Sequence, residues 1–239
     1  MNKNFHSISI DVWGDFAMFT RPNAKVERDT YLCPTPSACR GILNAIYSKP
    51  VEFYYEITGI EIMKPIRVIS MKHNEVNVVV NPRNVSNPGY AIYTGDTEHR
   101  VRTQRMCTYL TDVYYRIHAN MVLQDTAEDR VSIVSVWNQF CRRVEKGKCF
   151  FQPYFGTREC ICHFSLPDAT MQPIKEDASF GVTLYDVFDI RNQVPLNTSK
   201  DKNRKTCEPV ISFFDAKMHQ GRIDVPLWDS DELFIRRTV

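Results

Sequence analysis

An α+β fold, an antiparallel sheet with two helices, is predicted for this 239-residue chain by three observations. Extended segments with β-branched and aromatic alternation recur along its length, whereas only two stretches carry the apolar period of a capped helix. The two helical stretches are separated by a pair of extended segments, and after about residue 168 the helical signal disappears in favour of short strands.

The first strand is predicted over Ser7–Phe19, where Ile8, Ile10 and Val12 alternate with polar residues. Residues 34–50 read as one short helix: Thr35 is an N-cap, Pro36 suits the first helical position and Lys49-Pro50 stops it. Ala38, Ile42, Ala45 and Ile46 form its expected buried stripe. Arg40, Asn44 and Tyr47 follow at i, i+4 and i+7, so a guanidinium, an amide and a phenol are expected on one open face, suited to a phosphodiester backbone. The plainer alternative is that Tyr47 only packs at the helix end.

Val51–Ile69 reads as extended with a break at Thr58-Gly59, followed by a polar loop region, Asn77–Thr103, rich in turn signals. A strand resumes at Val113–Leu123. The second helix is expected from about Glu128 to Lys146, with Thr126 and Asp129 as a capping box, a stripe of Ile133, Trp137, Phe140, Cys141 and Val144, and Gly147 as terminator. Glu159–Leu166 closes the unit as a strand. Strand, helix, two strands, helix, strand is the order of a ferredoxin-like (RRM-like) layer, which we assign to residues 1–167. Residues 168–239 read as a β-rich C-terminal extension: a strand over 182–190, then Val210–Phe214 and Gly221–Val225 as a hairpin, with the cationic loop Lys200–Lys205 between them.

A net charge of +2, from 30 basic and 28 acidic side chains, does not announce a polyanion partner, so any such partner must be met by local clusters. Lys25, Arg28 and Arg40 bracket the first helix; Arg67, Lys72 and His73 follow the third strand; Arg100, Arg102 and Arg105 punctuate the central loop; Arg142, Arg143, Lys146 and Lys148 gather where the second helix ends. Trp13, Phe16, Phe19, Tyr31 and Tyr47 are aromatics that can stack on unpaired bases, although Phe16 and Phe19 fit the core better. Eight cysteines without a C-x-x-C pair and an N-terminus without a signal-peptide core point to reduced thiols and a cytoplasmic protein. Alternation puts Cys160 and Cys162 on one face of a strand and His163 on the other, against a metal site there. No apolar run is long enough to span a bilayer, so no membrane partner is expected.

An ordered series of short motifs runs from residue 10 to residue 160. It comprises Val12-Trp13-Gly14-Asp15-Phe16-Ala17-Met18-Phe19-Thr20-Arg21-Pro22, Lys25-Val26-Glu27-Arg28, the helix just described, Lys64-Pro65-Ile66-Arg67, His73-Asn74-Glu75-Val76, Gln104-Arg105, Asp112-Val113-x-Tyr115-x-Ile117-x-Ala119 and Gly147-x-x-Phe150-x-Gln152-Pro153-x-x-Gly156-x-Arg158-Glu159. In this series the chain resembles the subtype I-C CRISPR-associated protein 5 family, of the RAMP superfamily. The resemblance implies an endoribonuclease that binds the repeat hairpin of precursor CRISPR RNA, cuts it without metal or other cofactor by attack of a ribose 2′-hydroxyl, and stays on the 5′ tag among the other subunits of the interference complex. It places the catalytic tyrosine at Tyr47, for which positioning or proton donation suits a phenol better than base catalysis at neutral pH.

Relatives carry Gly-Lys-His before the second helix, where this chain reads Glu128-Asp129-Arg130. Arg130 is therefore the candidate for stabilising the phosphorane charge, but a guanidinium cannot cycle a proton. His73 and His118 are candidates to bring an imidazole to Tyr47. The expected RNA contacts are Lys25, Arg28, Arg40, Arg67 and Arg105. Two other readings stand beside the enzyme: a structural cap that holds a tag cut by something else, and, more weakly, a small-ligand binder, for which no glycine-rich phosphate loop is present.

Overall fold

The computed structural model describes residues 4–24, 26–79, 81–87, 89, 90, 92, 101–191 and 210–237. Among these the chain is α+β, with two α-helices and a nine-stranded antiparallel sheet. The strands are β1 (Phe5–Ala17), β2 (Phe53–Ile62), β3 (Val68–Val76), β4 (Arg102–Leu123), β5 (His163–Ser165), β6 (Ala178–Asp186), β7 (Val210–His219), β8 (Arg222–Asp224) and β9 (Phe234–Arg237). The helices are α1 (Pro36–Ile46) and α2 (Ile133–Glu145).

The sheet runs β5-β1-β4-β2-β8-β7-β6, with β3 added to β4 and β9 to β7. β4 is its spine: 22 residues long, it pairs with β1 and β2 toward its C-terminal end and with β3 toward its N-terminal end, where the two form a ribbon. This strand begins at Arg102, not near Val113 as expected, because Val68–Val76 pairs with it residue for residue and draws polar sequence into a ladder that periodicity alone does not reveal. The expected 159–166 strand is likewise shorter: only His163–Ser165 pairs with β1, and the preceding residues turn around the bridge Tyr154↔Ile161. Alternation still holds there, with Cys160 and Cys162 buried while Ile161 and His163 are exposed.

Both helices pack on one face of the sheet. Tyr55, fully buried on β2, shows this directly, since its hydroxyl donates to the Tyr47 carbonyl at the end of α1 (2.7 Å) and its ring lies 6.0 Å from Phe140 of α2. Ile10, Val12, Ile60, Ile62 and Ile117 meet Ile42, Leu43 and Ile46 in this core, each such side chain contributing about 1.5–3 kcal/mol on burial. α1 starts as predicted, with the Thr35 hydroxyl accepting from Ala38 N–H and Pro36 in the first turn.

α2 starts later than expected. Asp125–Ala127 forms a single 3₁₀ turn, Ser132 is the N-cap and Thr126 does not cap the helix. Its buried residues are Val136, Phe140 and Val144, with Ile133, Trp137 and Cys141 packed at the margin. Gly147 ends it at φ +60°, with Gly147 N–H bonded to the Val144 carbonyl and Lys148 N–H to Arg143, the paired bonds of a Schellman turn.

On the opposite face, Asp11 of β1 is fully buried. It accepts from Arg116 Nε (2.6 Å) and Nη2 (3.0 Å), the Tyr114 hydroxyl (3.2 Å) and Asp168 N–H (2.9 Å), which pins the segment after β5 across the sheet. The C-terminal hairpin forms as expected, β7 turning into β8 through Gln220 and Gly221, both at positive φ as a two-residue hairpin turn requires. The predicted strand over 182–190 is β6, which starts four residues earlier and ends at Asp186. Lys200–Lys205 and Arg100 lie outside the described residues.

Candidate RNA-processing site

Tyr47 is the C-cap of α1, with extended backbone and its N–H on the Leu43 carbonyl. Its side chain is only 4% exposed, so it does not stand on an open helix face. The ring lies against Phe53 (5.3 Å between centroids) and beneath the Arg143 guanidinium (5.2 Å to the ring centroid). Arg143 also covers Phe150 at 4.5 Å and donates from Nη1 to the Ile46 carbonyl (3.2 Å), while its buried Nε has no hydrogen-bond partner among the described residues. Lys49 completes the group. Its ammonium is held above the usual lysine pKa chiefly by its hydrogen bonds to Glu52, with a further contribution from the Tyr47 phenol.

Arg40 departs from the expected RNA face. It is 8% exposed and directs Nε (2.8 Å) and Nη2 (2.6 Å) to Asp186 Oδ2 at the end of β6, while Asp186 Oδ1 takes the N–H groups of Val187 and Phe188. The reason is tertiary: β6 covers the flank of α1 that the helical pattern alone leaves open, and the face actually left half-open or exposed is Ser37, Ala38, Gly41 and Asn44. Ala38, expected in the buried stripe, lies on that face, and Cys39 and Leu43 take the core positions.

Arg130 is exposed in the turn before α2, where its Nη2 donates to the Thr126 carbonyl (2.8 Å). The cation on the Tyr47 ring comes instead from the far end of α2, since Arg143 lies about 15 Å of helix beyond Ile133.

Neither histidine accompanies Tyr47. His73 Nε2 contacts the Tyr109 hydroxyl (3.2 Å) on the β3–β4 ribbon. His118 sits on β4 with Nδ1 on the Ser9 hydroxyl (2.8 Å), and its Nε2 is 3.1 Å from Glu61 Oε1, in ion-pair range but out of hydrogen-bond alignment. Burial holds the His118 pKa below its usual value; Glu61 opposes this, and Arg222 and Arg116 reinforce it. The unfolded chain therefore takes up that proton first, so stability should fall as pH drops through about 6.5 and level off once the folded imidazole protonates. Denaturant titrations across that window test this: His118→Gln should remove this part of the slope, and an unchanged slope would assign it to other groups.

The remaining basic candidates gather elsewhere. Arg28 bridges to Cys107 and pairs with Glu75 (2.7 Å), Arg105 faces His73 in register, and the Arg67 carbonyl accepts from Thr111 N–H while its side chain stays exposed beside Asp112 (4.0 Å). Lys25 lies outside the described residues. The structure thus assembles Arg28, Arg67 and Arg105 around the β3–β4 ribbon, whereas Tyr47 lies against Phe53 opposite Leu123, roughly 40 Å of strand from Thr111.

Phe19 and Tyr31 are buried, but Phe16, expected in the core, is 38% exposed at the edge of Tyr109. Exposed aromatics to which the sequence assigns no role include Phe150, Phe151 and Tyr154, together in the loop after α2. Two adjacent aromatics three residues past the helix-ending Gly147 are the signal that could have found them. Among the described residues no three His, Cys, Asp or Glu side chains form a metal-holding group, and no helix is long and apolar enough to cross a membrane.

Comparison with known proteins fits this architecture. The family described as CRISPR-associated protein (Cas_Cas5), Cas5d, matches residues 7–226. The "CRISPR pre-crRNA endoribonuclease Cas5d" of Thermus thermophilus is 34% identical over 230 residues, covering 95% of this chain and 94% of that protein. The protein of the same name from Mannheimia succiniciproducens is 34% identical over 236 residues, covering 95% and 97%. A solved structure titled "Crystal Structure of CRISPR-associated Protein" superposes with a TM-score of 0.65 at 18% identity, covering 98% of this chain and all of that one, a likeness of fold. With a family match over nearly its whole length and two relatives of the same description, the chain belongs to the Cas5d family of CRISPR-associated proteins.

Proposed function

We propose that this protein is a pre-crRNA endoribonuclease: it binds the repeat of a CRISPR precursor transcript, cuts it without metal and remains on the 5′ tag with the other subunits of the interference complex, in the cytoplasm. Full-length similarity to two proteins named for that activity supports the reading. The observation that carries it is the half-buried Arg143 guanidinium held against the rings of both Tyr47 and Phe150, with the Lys49 ammonium beside the Tyr47 phenol. A phosphate arriving there meets donors already in place, which is how charge that develops on phosphorus is stabilised.

In the reaction the ribose 2′-hydroxyl gives up its proton to solvent as its oxygen attacks the adjacent phosphorus, the bond to the 5′-oxygen breaks, and that oxygen leaves as a hydroxyl after gaining a proton. The products are a 2′,3′-cyclic phosphate and a 5′-hydroxyl. Tyr47 orients the attacking group or supplies the proton, and Arg143 and Lys49 offset the extra negative charge. Arg130 contacts a flanking phosphate, Arg28, Arg67 and Arg105 hold RNA along the ribbon, and Lys25 is a further RNA contact on the strength of the sequence alone. The order β5-β1-β4-β2, with a helix after β1 and another after β4, supports the ferredoxin-like assignment for residues 1–167. Residues 168–239 extend that sheet through β8.

Incubation of the purified protein with its repeat RNA in EDTA should give a fragment ending in a 2′,3′-cyclic phosphate. The burial of Tyr47 favours a second reading, a non-catalytic cap on the tag. Tight binding of a repeat that stays intact with or without metal would favour that reading over the enzyme.

A further inference from the structure

One large cleft of the protein takes no part in the chemistry above. About 750 Å³ in volume, it has one wall made by Ser37, Ala38 and Gly41 of the open face of α1 with the buried Ala45 at its edge, and the other by the loop after α2, with Phe151, Gln152, Tyr154 and Arg158. Phe151 is 68% exposed, a costly position for an aromatic ring with nothing to cover it. Gln152 is held with its amide nitrogen on the Cys162 carbonyl (2.9 Å), and the loop is fixed just past the end of β1 by the bond from Met18 N–H to the Phe155 carbonyl (3.1 Å). Gly156 lets that loop approach: at φ +80°, a side chain there would collide with the Met18 carbonyl at 1.9 Å. The wall is therefore preformed rather than loose.

Its position matters as much as its lining. At one end it reaches Phe19 and Thr20, beyond the end of β1 that pairs Ala17 with Leu110 at the base of the ribbon. At the other end it reaches Ala45, whose carbonyl accepts from Phe150 N–H (2.7 Å), and Phe150 carries the Arg143 guanidinium that covers Tyr47. It thus bridges the two regions assigned above to RNA. No acidic side chain lines it, and Arg158 supplies positive charge.

We propose that this cleft is a binding site for unpaired nucleotides of the RNA, whose bases stack on Phe151 and Tyr154 while Arg158 meets the backbone. The proposal rests on the RNA-processing reading and adds to it the place where the single-stranded flank is seated.

Gly41 offers a direct test, because a side chain at this exposed helical position meets nothing within 4 Å and would project into the cleft. Leucine is also a better helix former than glycine, so Gly41→Leu should fill the site without unfolding the protein. Binding of a fluorescein-labelled single-stranded oligoadenylate should weaken at least about fivefold in Gly41→Leu, and by a similar factor in Phe151→Ala, with unchanged melting temperatures. Affinities equal to wild type in both variants would overturn the proposal, and if wild type still cut repeat RNA the processing function would stand. Oligoadenylate binding that depends on Gly41 and Phe151 in a protein that never cuts a repeat would keep the cleft and overturn the cleavage reading.

Discussion

Tyr47→Phe is expected to leave fold and RNA affinity intact while slowing cleavage of repeat RNA by about 10²-fold or more, the usual reach of one proton-handling group. The substitution is clean because the ring, not the hydroxyl, makes the packing contacts with Phe53 and Arg143. The Tyr47 carbonyl that Tyr55 binds is unaffected as well. Single-turnover rates at saturating RNA, with affinity measured separately, decide the matter. A wild-type rate would remove the phenol from the mechanism, and a loss of affinity without loss of rate would make it a binding group only.

Arg40→Ala should destabilise the fold by about 3–5 kcal/mol, because it leaves the Asp186 carboxylate buried without its cation. For a chain of this size that corresponds to a fall in melting temperature of roughly 6–20 °C. The loss should be partly recovered by also replacing Asp186 with Asn, which removes the stranded charge but keeps an acceptor for the Val187 and Phe188 N–H groups. If Arg40→Ala melted like wild type and lost RNA affinity instead, the ion pair would be dispensable and Arg40 would belong to the RNA surface after all.

Arg40 also shows where a sequence stops speaking. Thr35, Pro36 and the apolar stripe define α1 locally, and that helix forms as they dictate. Which polar flank of the helix faces water depends on β6, some 140 residues downstream in the chain, and no local pattern encodes that approach. The β3–β4 ribbon was illegible for a related reason: both its faces are largely open, so it lacks the inside-outside alternation that marks a half-buried strand. For α2 the Schellman glycine was legible, and the N-terminus was not, because a 3₁₀ turn and Thr126 imitate a cap. Tyr47 was found through its neighbours in sequence. Its cationic companion was not, since Arg143 lies nearly 100 residues away and reaches the ring only because α2 ends beside the end of α1.

The length of β4 has a consequence for how such a protein diversifies. One unbroken strand of 22 residues carries the ribbon at its beginning and the tyrosine's surroundings at its end. Amino acids added or lost in the connection from β3 to β4 alter how far the ribbon reaches, yet the ladder with β1 and β2 keeps its register. Variation in reach at one extremity of the strand is thereby mechanically separated from the packing around Tyr47 at the other.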